Sequence, residues 1–105
     1  MTETVVVLVT APSAEEAGRI ARVLVEEKLA ACGNVIPAVR SIYRWQGKVC
    51  DEQEALLVLK APRRRFSELR DRVVALHPYE VPEVIALAIE DGFEKYVDWI
   101  IPSMY

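Results

Sequence analysis

The sequence predicts an α+β sandwich whose elements run β-α-β-β-α-β, followed by a short terminal helix. Three observations predict it. Val5 to Val9 is an unbroken run of Val and Leu, the mark of a central strand buried on both faces. Two later segments carry apolar residues at helical spacing. Between them a long stretch folds back at Gln46-Gly47, where Gly accepts the positive φ of a two-residue turn. This order is the split βαβ, ferredoxin-like pattern. Right-handed crossovers put strands 1 and 3 in the centre, strands 2 and 4 at the edges, and both helices on one face.

Each element follows from local chemistry. After strand 1, Ser13-Ala14-Glu15-Glu16 has the form of a capping box, with Ser as N-cap and Glu at N3. Ala17, Ile20, Ala21, Leu24 and Val25 then make one apolar face, predicting a helix over about 14–29. The second strand, 35–45, contains Pro37. Pro has no N–H to give to a ladder, so Pro37 marks an edge strand or a bulge. The third strand, 48–60, starts polar (Asp51 to Glu54) and ends apolar (Ala55 to Leu59). Its polar start places the hairpin tip outside the core. Pro62 suits the first turn of a second helix, with Phe66, Leu69, Val73 and Leu76 as its stripe. That helix must stop by His77, because Pro78 disfavours helical geometry in the residue before it. A fourth strand runs 83–90, Asp91-Gly92 turns, and Phe93, Tyr96, Val97 and Ile100 mark the terminal helix.

The chain has 105 residues, which makes a single domain over 1–105. Its net charge of −3 argues against nucleic-acid binding. One His and two Cys are too few for the usual structural zinc sites, built from four cysteines or from two cysteines and two histidines, in one chain. No run approaches the ~20 apolar residues of a membrane span. The N-terminus lacks the basic start and long apolar stretch of an export signal. Two unpaired cysteines then fit a reducing cytoplasm. Cys32 and Cys50 lie about 35 Å apart along the hairpin at ~3.3 Å per residue, far beyond disulfide reach.

Two features point to a homo-oligomer. Strands 2 and 3 are longer than the helices can cover, so the hairpin projects, carrying Ile42, Tyr43 and Trp45. Strand 4 alternates Ile85, Leu87 and Ile89 with Val84, Ala86 and Ala88, so it is apolar on both faces. Such edges and uncovered sheet faces need partners.

Several stretches resemble the CutA family of divalent-cation tolerance proteins. They are Thr10-Ala11-Pro12, Ala30-Ala31-Cys32, Ser41-Ile42-Tyr43-Arg44-Trp45-Gln46-Gly47-Lys48 and His77-Pro78-Tyr79-Glu80-Val81-Pro82-Glu83. The resemblance runs from Val5 to Trp99. It implies a ferredoxin-like homotrimer with an extended β2-β3 hairpin, akin in shape to PII signalling proteins. It also implies a cytoplasmic protein linked to copper and other divalent metals, without an enzymatic reaction. No cofactor is required; copper or another divalent cation is the implied ligand. A PII-like sensor of small ligands, or a protein-interaction module, is the alternative.

His77 is the only imidazole and sits at a helix C-terminus. It reads as a cap or interface hydrogen bond, or as a metal ligand. Some family members place a second His before it and a Cys before Thr-Ala-Pro; here those positions hold Leu76 and Val9. Cys50 is a soft Cu(I) ligand where a neighbouring hairpin brings a partner. Cys32, flanked by small residues, reads as a small buried hydrophobe. Tyr43, Trp45, Lys48, Lys60, Tyr79, Glu80 and Glu83 lie in or beside the matching motifs. They form a ligand cleft between subunits, of the kind PII-like proteins use, or they only build the trimer interface. Arg63-Arg64-Arg65 reads as a solvated helix face. Asp51/Glu52 and Glu90/Asp91 read as solvated turns. A small phosphatase on this fold would need Arg in a Gly-rich loop after strand 1, and Thr10-Ala11-Pro12-Ser13 has neither.

Overall fold

The computed structural model describes residues 3–105. Its elements are β1 (Thr4–Ala11), α1 (Ala14–Glu26), β2 (Cys32–Trp45), β3 (Lys48–Pro62), α2 (Phe66–Leu76), β4 (Ile85–Ala88) and α3 (Glu94–Ile100). A 3₁₀ turn, Arg63–Arg65, precedes α2, and another, Pro102–Met104, follows α3. The four strands form one antiparallel sheet in the order β2-β3-β1-β4. This is the expected ferredoxin-like arrangement, with β1 and β3 central.

The core lies between α1, α2 and one sheet face. Val5, Val7, Val9 and Ala11 of β1 and Ala55, Leu57, Leu59 and Ala61 of β3 are buried at a period of two. Ile20 and Leu24 of α1 and Leu69 and Val73 of α2 close over them. Arg19 donates to the Leu76 carbonyl at 2.8 Å, and Arg72 forks onto Glu27, tying the two helices at their ends.

Ser13 caps α1, its hydroxyl accepting from Glu16 N–H at 3.1 Å. The box is half made, because the Glu16 carboxylate pairs with Arg19 instead. The helix stops at Glu26, short of the expected 29. Lys28 takes a φ of 61°, and the N–H groups of Lys28 and Leu29 donate to Val25 and Leu24 carbonyls. That is a Schellman end with Lys in the place usually held by Gly.

Pro37 and Ala38 of β2 face a single residue of β3, since Ile36 pairs with Leu56 and Val39 with Glu54. Pro37 therefore sits in a β-bulge. Beyond it β2 and β3 continue as a bare two-stranded arm that stretches the molecule to 44 Å. The arm turns at Gln46 and Gly47, both at positive φ. Cys50 lies opposite Tyr43, as expected. Strand β4 is shorter than the expected 83–90. Only 85–88 pair with β1, and a further bond from Ile89 N–H to Thr4 oxygen ends the ladder. Before Ile85 the chain leaves the sheet because it must climb from the end of α2.

The sheet face opposite α1 and α2 is partly bare. There Val6 pairs with Leu87 and Leu8 with Ile85, an apolar patch shared by the two strands. Ile85 is 48% and Leu87 51% exposed. α3 covers the other end of this face, burying Val97 and Ile100. There Tyr96 OH lies 3.6 Å from Cys32 Sγ. Cys32 is accordingly half-buried beside a phenol, not sealed in the core as expected.

Candidate functional site: a cleft at the base of the arm

Where β1 ends at Ala11, β3 loses its neighbour on that side. The loop that follows α2 comes alongside there. Its position depends on His77, which Pro78 forces into extended geometry at φ −79° and ψ 139°. His77 Nε2 lies 2.7 Å from the Thr10 carbonyl oxygen, and its Nδ1 accepts from Tyr79 N–H at 3.1 Å. A carbonyl only accepts, so Nε2 carries the proton and Nδ1 the lone pair. The ring also packs on Tyr79, with centroids 4.6 Å apart.

This anchoring points Tyr79 at the arm. Its hydroxyl donates to Glu54 Oε2 at 2.5 Å. Further along the arm, Tyr43 OH donates to Glu52 Oε1 at 2.6 Å. Burial first, and then the Glu54 carboxylate, push the Tyr79 phenol far above its ordinary value. The bond to Glu52 is the main cause that pushes Tyr43 up to about 12. Both phenols stay protonated through the neutral range and act as hydrogen-bond donors.

Between arm and loop lies a cleft of about 760 Å³. Tyr43, Trp45, Glu54, Tyr79, Glu80 and Glu83 all line it, together with Arg40. Arg40 is engaged by Asp51, with Nε 2.8 Å from Oδ1 and a terminal nitrogen 2.6 Å from Oδ2. Five of the residues singled out in the sequence thus meet: Tyr43, Trp45, Tyr79, Glu80 and Glu83. Lys48 and Lys60 do not. Lys48 pairs with Trp45 at the arm's tip, while Lys60 pairs with Cys32 at the far end of β3. There Lys60 holds the Asn34 carboxamide oxygen.

Glu54 is the residue the sequence reading missed. It looks like one more acid in the polar start of β3, yet it is only 8% exposed. Its one sequence signal is position, directly before the apolar run that begins at Ala55.

Within one chain, the described residues do not assemble a copper site. Both nitrogens of His77 are spent on Thr10 and Tyr79. Leu76, at the position of the second His, packs against the core, and Val9 is fully buried. Cys50 faces Tyr43 and brings no second soft donor with it. Among the described residues no three His, Cys, Asp or Glu side chains gather in a way that would hold a metal.

The profile of the CutA1 divalent ion tolerance protein family matches residues 5–103. The chain belongs to the CutA1 family. It is 55% identical to the divalent-cation tolerance protein CutA of Thermus thermophilus over 95 residues, 90% of this chain and 92% of that one. It is 45% identical to the chloroplastic protein CutA of Arabidopsis thaliana, over 91% of this chain and 53% of the relative. Among solved structures, the PII-like protein CutA of Nostoc superposes with a TM-score of 0.87 at 36% identity, covering 96% and 97% of the two chains. The names of relatives place one in the chloroplast and another, from Archaeoglobus fulgidus, in the periplasm. For this chain, among the described residues, no helix is long and apolar enough to cross a membrane.

Proposed function

We propose that this CutA-family chain works as a homotrimer in the response to divalent cations, by binding and not by catalysis. The observation that carries the reading is the pair of apolar elements left bare on one chain. Ile85 and Leu87 lie exposed on an edge strand, and Ile42 and Trp45 on a projecting arm. An edge strand with apolar side chains on an uncovered face invites pairing. Further copies of this chain bury both elements at once, and closed symmetry limits the assembly. Binding fits the cleft's chemistry. Its phenols are held protonated, and neither Cys50 nor His77 is presented to it as an activated nucleophile or base. Two free thiols support a cytoplasmic setting. The metal enters as the stress the family is named for, with no coordination step at His77 or Cys50.

Light scattering tests the assembly. The expected mass is three times 11.9 kDa, falling to one chain in Ile85→Glu/Leu87→Glu. A monomeric wild type at micromolar concentration sinks the reading. Copper tolerance of a host lacking the protein is expected to return with the wild type and not with the monomeric variant.

A second reading, a PII-like sensor, is favoured by one observation, the cleft. It has the volume of a metabolite site, for which ~300–1,000 Å³ is usual. It also joins two elements a ligand would move together, the arm and the 77–84 loop.

A further inference from the structure

We infer that this cleft is a receptor for a small organic cation, a primary or quaternary ammonium or a guanidinium; the inference rests on reading the cleft as a ligand site.

The argument starts from Glu54. As a residue Glu54 is only 8% exposed, and it lines the cleft. Oε2 accepts from Tyr79. Among the described residues nothing else bonds to the carboxylate, and no cation pairs with it. A buried carboxylate without a counter-charge is costly to keep, and the cost disappears when a cation arrives. The walls extend the same bias. Glu80 and Glu83 stand on the loop side. The cleft's own cation, Arg40, is already forked onto Asp51. A phosphate or nucleotide would meet three carboxylates and no free positive group, so an anion is disfavoured.

The aromatic walls decide between an organic and a metal cation. Tyr43, Trp45 and Tyr79 all line the cleft, and their faces attract a diffuse, weakly hydrated charge. A hard ion such as Mg²⁺ or Ca²⁺ needs six or more converging oxygens. The carboxylates of this cleft do not converge as such a set. A volume of about 760 Å³ also leaves a bare ion loosely held, whereas it suits a molecule carrying an ammonium head and an apolar or polar tail.

The phenols add selectivity by what they cannot do. Tyr43 and Tyr79 already give their protons to Glu52 and Glu54. Their remaining oxygen lone pairs accept, so they complement the N–H groups of an ammonium or guanidinium. They have nothing to donate to a carbonyl or phosphate.

Calorimetric titration of the protein tests this. The probes are tetramethylammonium, putrescine and arginine methyl ester, set against ATP and inorganic phosphate. Trp45 fluorescence is read in a Trp99→Phe background to place the binding. The expected result is cation binding with a Trp45 response, and none for the anions. Glu54→Gln should weaken it by about tenfold or more, the scale of a hydrogen bond to a charged group. Should Glu54→Gln fold poorly, Trp45→Ala, shown by light scattering to keep the wild-type assembly, should still weaken it by roughly two- to fivefold. Anions binding with a Trp45 response, and cations not, would overturn the cation assignment and leave the sensor reading intact. Silence from every probe overturns both. Cation affinity unchanged in Glu54→Gln and Trp45→Ala places binding elsewhere and overturns the inference.

Discussion

His77 Nε2 sits 2.7 Å from the carbonyl oxygen of Thr10, and this bond joins the end of α2 to the end of β1. Together with the bond from Tyr79 N–H to Nδ1, it makes the sole imidazole a structural rivet. His77→Ala strands a half-buried carbonyl and a half-buried N–H, so it should lower stability by about 1–3 kcal/mol. The midpoint of urea unfolding reads this. Copper titrations of wild type and variant are expected to superpose. A copper affinity that falls with His77→Ala would show that the ring lets go of Thr10 or Tyr79 to take the metal.

Tyr43 should titrate late. Its bond to Glu52, reinforced by burial, raises it to about 12. The raised folded value means the protein holds this proton while the unfolded chain, at ~10, releases it. The contribution to stability is therefore intact below pH ~10 and is lost as pH climbs from there towards the folded value. The chain has four tyrosines, and they should separate in an ultraviolet phenolate titration. Tyr105, lowered by the Arg64 and Arg65 guanidiniums, ionises first; Tyr43 and Tyr79 ionise last. Glu52→Gln should bring one phenol back towards its ordinary range while leaving Tyr79 late.

Much of this was legible in the sequence, and the exceptions have a common cause. Gln46-Gly47 fixes the arm's register locally, so the pairing of Tyr43 with Cys50 follows by counting. Pro37 announces its bulge because no ladder can use it. The helix stop before Pro78 is equally local. Glu54 is different. Its partner is Tyr79, 25 residues away, and no nearby residue signals that approach. Lys60 misleads for the same reason. It belongs to the strand that carries Glu54, but six residues of extended chain put about 20 Å between them. Strand β4 reads too long because its apolar alternation begins at Val84, before the chain joins the sheet; Val9 to Ala11 of β1 stay unpaired on that side, and the ladder starts at Ile85 opposite Leu8.

The end of α1 offers a gain in stability. Lys28 has a φ of 61°, a left-handed conformation that costs a side-chain-bearing residue ~1–2 kcal/mol. Gly takes it freely, while the unfolded chain gains some freedom. Lys28→Gly should stabilise the fold by about 0.5–1 kcal/mol net. Thermal unfolding against wild type checks this. Lys28→Ala, which keeps the strain and gives up none of the backbone restriction, should not reproduce the gain.

Two glycines, Gly18 and Gly33, should respond to Ala in opposite directions. Gly18 lies inside α1, and a Cβ there meets nothing within 4 Å. Ala removes the helical entropy cost of Gly, so Gly18→Ala should stabilise by roughly 0.5–1 kcal/mol. Gly33 lies at the start of β2, beneath the same helix. A Cβ there comes within 3.0 Å of both Ala21 Cβ and Leu59 Cδ2 and 3.3 Å of Leu57 Cδ1. The two leucine tips have some freedom, but Ala21 Cβ moves only with α1 itself. The helix must shift away from the sheet by a few tenths of an ångström, which loosens the packing of the fully buried Ile20 and Leu24. Overpacking of this kind costs about 1–3 kcal/mol. Paired urea curves on the two single variants decide it. A Gly33→Ala protein as stable as wild type would mean that α1 rides more loosely over β2 than these contacts imply.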